Sequence, residues 1–263
     1  MADFTAQDVK RLRDATGAGM MDCKKALEAT SGDYENAVQF LREKGLAKAA
    51  ERSDRENNEG AIALVTNGNA AALVQLKTET DFTAKNALVL SLVKELAELV
   101  LADGPDAIAT KSSALDDLKL TTKENIALGK VARIEAAPGN LIDTYLHVQD
   151  GRGVNGVIIE ASGVDAETLH DIALHIAFAK PSSLSRDEIP AELVEKERAS
   201  LLEITKAEGK PEQAWGKIVD GRVNAWFGDR VLLEQGIFGE KETVAQKIGA
   251  GSIVRFVQAF TGV

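Results

Sequence analysis

Ala61-Ile62-Ala63-Leu64-Val65-Thr66 runs into Asn67-Gly68, and Ala71-Ala72-Leu73-Val74-Gln75-Leu76 follows. Two apolar runs thus meet across an Asn-Gly turn, which supplies the positive φ values that a tight hairpin needs. Then the period changes. From about residue 83 to 102, Leu88, Leu92, Leu96 and Leu99 recur at helical spacing, until Asp103-Gly104-Pro105 stops them. A hairpin followed by a helix packs as one α+β layer pair.

The same order returns downstream. Residues 141–148 predict a strand, Asp150-Gly151-Arg152-Gly153 a turn, and 154–161 a second strand. Asp165 then caps a helix that runs to about residue 179, with Pro181 just beyond. Hairpin-then-helix at 61–102 and 141–179 predicts a divergent duplication of one α+β unit. Two copies at irregular spacing do not make a solenoid. Residues 126–137 and 253–260 read as further strands, 106–122 as helix, and 243–248 as a short helix. Residues 190–207 and 211–227, joined by Glu208-Gly209-Lys210, predict an antiparallel helical hairpin. Leu193, Leu201 and Ile204 sit there among many charges, so the hairpin is expected to stand in solvent.

Upstream, residues 5–45 predict three short helices. Thr5 caps the first, which carries Val9, Leu12 and Arg13; the second covers 20–29. Asp33 caps the third, with Ala37, Val38, Phe40 and Leu41 on one face and Gly45 as its end. Three helices in some forty residues make a marginal core, and such a module reads as a protein-recognition unit. Residues 46–58 start helical and fray into a linker. The expected division is therefore 1–45 (helical module), 46–59 (linker), 60–140 (first core unit), 141–189 with 228–263 (second core unit), and 190–227 (inserted hairpin).

Composition narrows the function. The chain has 263 residues, a net charge of −10 and one cysteine, Cys23. A single cysteine forms no intrachain disulfide and no two-thiolate zinc site, and it fits a reducing, cytoplasmic compartment. The acidic balance argues against strong nucleic-acid binding. Residues 1–50 hold eight basic and eight acidic side chains against 23 and 33 downstream, so the module approaches an acidic partner more easily than the body does. No apolar run nears membrane-spanning length, and Met1-Ala2-Asp3-Phe4-Thr5 lacks the plan of a secretory leader.

No arrangement for covalent chemistry emerges. His170 and His175 lie five apart on one predicted helix, poor spacing for a shared metal. No P-loop is present, and Thr16-Gly17-Ala18-Gly19 follows a helix rather than a strand. The expectation is a binding protein with no cofactor and no metal. Two stretches carry binding character. Gly19 delivers Met20 and Met21, whose side chains point about 100° apart on a helix. Either both pack inside the module or at least one is offered outward to a partner. In Thr78-Glu79-Thr80-Asp81-Phe82, either Asp81 caps the next helix with Phe82 packed beneath, or Phe82 is an exposed wedge.

Thr16-Gly17-Ala18-Gly19-Met20-Met21-Asp22-Cys23-Lys24-Lys25-Ala26-Leu27 and Thr80-Asp81-Phe82-Thr83-Ala84-Lys85 together resemble the two signatures of translation elongation factor Ts, with Thr83 in place of a valine. Glu124-Asn125-Ile126 and the segment from His175 to Lys180-Pro181 are similar too. The resemblance implies an exchange factor for the GTPase elongation factor Tu that makes or breaks no bond and binds no nucleotide itself. It implies partner contacts at Arg13, Met20, Met21, Thr80, Asp81, Phe82 and His175, with Asp81 and Phe82 disturbing the magnesium and phosphate site. The 190–227 hairpin resembles the family's protruding coiled coil. Gly129-Lys130 stand where members often carry two arginines, so no contact is carried over there. With the sequence reaching Val263 soon after its last strand, the additional C-terminal helix of some members is expected to be absent. The competing expectations are a docking adaptor with a ubiquitin-associated-like module and, less simply, an enzyme built from scattered carboxylates.

Overall fold

Thr5 opens the first helix with a capping box: its hydroxyl accepts from the Asp8 amide while Asp8 accepts from the Thr5 amide. That helix is α1, Ala6–Thr16, in a computed structural model that describes residues 4–262. Residues 1–3, read above for a leader, and Val263 lie outside the described residues. Gly17 takes left-handed backbone (φ 65°) and turns the chain into α2, Met20–Ala29. Asp33 caps α3, Tyr34–Ala50. Val9, Leu12, Cys23, Ala26, Leu27, Ala37 and Leu41 form the module's core.

Two expectations change here. α3 runs past Gly45 to Ala50, because Gly45 is a contact and not a stop. A Cβ there would meet Leu120 Cδ2 at 2.4 Å, so glycine lets α3 press on a core helix. Phe40 is exposed and does not share the buried face of Ala37 and Leu41.

The first core unit pairs β1, Glu59–Thr66, with β2, Ala70–Thr78, antiparallel around the Asn67-Gly68 turn. A one-turn helix, α4 (Asp81–Ala84), precedes α5, Ala87–Asp103. The sequence predicted one helix from residue 83. The break arises because Asn86 is extended and caps α5 by accepting from the Leu88 amide at 2.9 Å. The buried stripe is accordingly Val89, Leu92, Val93, Leu96, Ala97 and Val100, while Leu88 faces solvent. α6, Ser112–Thr122, leads to β3, Ala127–Glu135, which pairs with β2.

The second unit repeats this order with β4 (Leu141–Gln149), β5 (Arg152–Ser162) and α7 (Ala166–Ala179). After α8 (Ala191–Ala207), α9 (Trp215–Gly228) and α10 (Val244–Ile248), the chain returns as β6, Ser252–Phe260, beside β5. Each unit is thus ββαβ with its second strand central, and the protein is of the α+β class. The sequence predicted the strands at 126–137 and 253–260 but did not place them in the repeat. The α8–α9 insertion pushes the second of them far from its own hairpin.

One six-stranded sheet joins the units, yet β1 and β5 share a single backbone pair, Ile62 opposite Gly153. Side chains staple the seam. The Arg152 guanidinium donates to Gly60 O at 2.6 Å and to Glu59 at 2.8 Å. Glu160, 1% exposed, accepts from the Ala137 amide, Asn140 and Arg255. Burial pushes its carboxyl up, but those three donors outweigh burial and hold it below the usual carboxylate range.

The α8–α9 hairpin is not purely solvated. Val219, Val223, Trp226 and Phe227 bury against Ile189 and Val231 at its base, with Val194, Leu201 and Leu202 half-buried. Leu193 and Ile204 remain outside as predicted. Among the described residues no helix is long and apolar enough to cross a membrane.

Candidate functional site

β2 ends at Thr78, and Thr80 turns extended, with its hydroxyl accepting from the Thr83 amide at 3.2 Å. Thr80 is therefore the N-cap of α4, and Asp81 is the first helical residue and not the cap. Phe82 is not packed beneath the turn. It is 85% exposed, while Ala84 anchors the turn to the sheet. A phenyl ring this exposed gains nothing in the free chain by being apolar.

The turn that carries it is tightly held. Lys85 Nζ donates to Asp81 at 2.8 Å and reaches Asp150, on the β4–β5 turn, at 3.2 Å. The Lys85 ammonium holds the Asp81 carboxyl below its usual range, and Asp81 and then Asp150 push Lys85 up. These exposed ion pairs add little stability, but they fix the turn's orientation across the two units. Glu124 completes the brace. Its carboxylate accepts from the Glu79 and Thr80 amides at 3.0 and 3.2 Å and from the Thr80 and Thr83 hydroxyls at 2.6 and 2.7 Å. In the sequence Glu124-Asn125 is legible only as part of the resemblance, because an acidic residue past a helix end gives no sign of which amides it will meet.

In the helical module both methionines point outward, Met20 at 46% and Met21 at 63% exposure. The buried face of α2 is Cys23, Ala26 and Leu27, so its first turn projects beyond the core. Arg13 is exposed in the last turn of α1. Cys23 is buried, and burial pushes its thiol up, which makes it packing and not a nucleophile.

His175 departs from its expected contact position. It is 1% exposed on the inner face of α7, so it presents no surface. Its Nδ1 accepts from the Phe238 amide at 3.1 Å, and its Nε2–H donates to Gln235 at 3.0 Å. The ring meets Phe238 edge-on at 5.7 Å, and Phe238 itself takes left-handed backbone at φ 50°. His175 thus props an exposed aromatic loop from within. Burial pushes its pKa below 6.5. The unfolded chain takes up that proton near pH 6.5, and the folded chain resists it. Stability is therefore complete above that pH and lost as the pH falls through the folded value, by about 1.4 kcal/mol per unit at most. Thermal unfolding followed from pH 8 to pH 5 should show this slope, and His175→Gln should flatten it.

Elsewhere, His170 pairs with Asp143 at 2.8 Å and His147 stacks beside Tyr145. Among the described residues no group of three or more His, Cys, Asp or Glu is arranged to hold a metal ion. What the surface offers is contact: an apolar aromatic on a braced turn, and two methionines on a separate helical module.

Comparison with known proteins gives a consistent picture. The family model described as elongation factor TS matches residues 79–262. The chain is 42% identical over 260 residues to elongation factor Ts of Clavibacter michiganensis subsp. michiganensis, covering 94% of both chains. It is 40% identical to that of Kineococcus radiotolerans, covering 96% of this chain and 95% of the relative. For elongation factor Ts of Thermobifida fusca the identity is 39%, over 100% of this chain and 99% of the relative. With the family model matching most of the chain and the relatives aligned over nearly its whole length, the chain belongs to the elongation factor Ts family.

Proposed function

We propose that this chain is a guanine nucleotide exchange factor: it binds elongation factor Tu in its GDP form and promotes GDP release, so that GTP can enter. The observation that carries this reading is Phe82, 85% exposed on a turn braced from both core units. A rigid, solvated aromatic beside a carboxylate is suited to entering another protein, since little conformational freedom is lost on binding. Arg13, Met20 and Met21 supply a second contact through the module. Asp81 enters with Phe82, and the two disturb the partner's magnesium and phosphate site, while Thr80 adds a contact at the start of the turn. His175 acts indirectly, through the Phe238 loop.

The work required is thermodynamic and involves no covalent step. The chain binds the GTPase more tightly when nucleotide is absent, and by linkage it weakens nucleotide binding by the same factor. A thousandfold weakening corresponds to about 4 kcal/mol of coupling. Such a factor works in the cytoplasm, where its partner translates. Titration calorimetry with the partner, with and without excess GDP, tests the linkage. Affinity should drop by the same factor as GDP affinity drops when the chain is present, and the chain alone should bind no GDP. Equal affinity in both states would remove the exchange reading.

A further inference from the structure

Two adjacent residues tie the exposed turn to the strap that leads from the helical module. Lys123 caps the end of α6 in left-handed backbone (φ 60°), which throws Glu124 toward α4 and Asn125 toward the connection between α3 and β1. Glu124 accepts all four of the hydrogen bonds described above from residues 79–83. Thr83, which departs from the valine of the resembled signature, supplies one of them. Asn125 Nδ2 donates to Ser53 O at 2.9 Å and to Arg55 O at 2.7 Å, pinning two carbonyls of the strap. Glu79 closes the circuit: it accepts from the Asn125 amide at 2.6 Å and from Arg55 at 3.4 Å.

We propose that Glu124 and Asn125 are positioning residues: Glu124 clamps the Phe82 turn, and Asn125 couples it to the strap, so that module and turn meet a partner as one body. The proposal rests on the exchange reading for its functional part. Physically, an acceptor shared by two amides and two hydroxyls fixes a one-turn helix that is too short to hold itself. A strap pinned by two carbonyls has fewer orientations in which to carry the module. Each contact then raises the effective concentration of the other.

The test uses the full chain with Glu124→Ala, Glu124→Gln and Asn125→Ala. Circular dichroism checks that each is folded. Hydrogen exchange of the 80–85 amides is measured on the free chain. GDP release from elongation factor Tu is measured against chain concentration. Glu124→Ala should expose the 80–85 amides by about tenfold and lower the plateau release rate roughly tenfold, with little change in half-saturating concentration. Glu124→Gln should restore most of both, because its oxygen still accepts from the amides and its NH2 donates to hydroxyls that can reverse roles. Asn125→Ala should leave the 80–85 amides protected and raise the half-saturating concentration about fivefold. A folded Glu124→Ala chain with wild-type protection and plateau overturns the clamp. A wild-type half-saturating concentration for Asn125→Ala overturns the coupling. If the wild-type chain itself accelerates nothing, the exchange reading fails, and the amide protection alone still decides the clamp.

Discussion

Phe82→Ala should melt with the wild type yet release GDP from elongation factor Tu roughly 10- to 100-fold more slowly at saturating chain. The first half follows from exposure. At 85% exposed, the ring fills no cavity, and its removal leaves no void to collapse. Surface truncations of this kind stay within about 0.5 kcal/mol of the wild type. The second half follows from the proposed burial in the partner. Taking a phenylalanine side chain out of water is worth about 1.5–3 kcal/mol. If that burial occurs only in the open state of the GTPase, all of it lowers the barrier to release. Phe82→Leu should fall between the two. Stopped-flow release and a melting curve on the same preparations check both halves. Wild-type release from Phe82→Ala would remove the wedge, and a large loss of stability would mean that the ring packs against its own chain.

The second large effect concerns the seam. Gly153→Ala would place a Cβ 2.2 Å from Ile62 O and 2.8 Å from Leu146 Cδ1. That carbonyl belongs to the only residue pair through which β1 and β5 are matched in the sheet. The backbone cannot move aside without opening the join, so the cost is overpacking against main chain, about 3 kcal/mol. Gly221→Ala is the control. It lies in α9 with open space around its Cα, and alanine there should stabilise by about 1 kcal/mol. Urea unfolding of both separates the cases. A Gly153→Ala chain as stable as the wild type would show that the two units do not depend on that contact.

Local signals carried most of the architecture. Asn67-Gly68, the capping residues Thr5, Asp33 and Asp165, and the apolar periods predicted the α+β class and the repeated hairpin-and-helix order. What escaped was decided at a distance. Asn86 looks like a helix interior residue beside Leu88 and Leu92 until its extended backbone is seen. Gly45 reads as a stop because its reason, Leu120, lies far along the chain. His175 sits on a helix whose pattern alone does not tell the inner face from the outer, and its partners Gln235 and Phe238 come from a later loop. The site was half legible. Met20, Met21 and Phe82 stand out in the sequence, but the sequence alone does not say whether they pack or face solvent. The Glu124 brace was invisible, because a carboxylate that accepts from main-chain amides leaves no spacing pattern in the sequence.

The most direct measurement is stopped-flow release of a fluorescent GDP from elongation factor Tu at increasing concentrations of this chain. The rate should climb with concentration to a plateau far above spontaneous release. Binding without any acceleration would contradict it and leave a docking adaptor in its place.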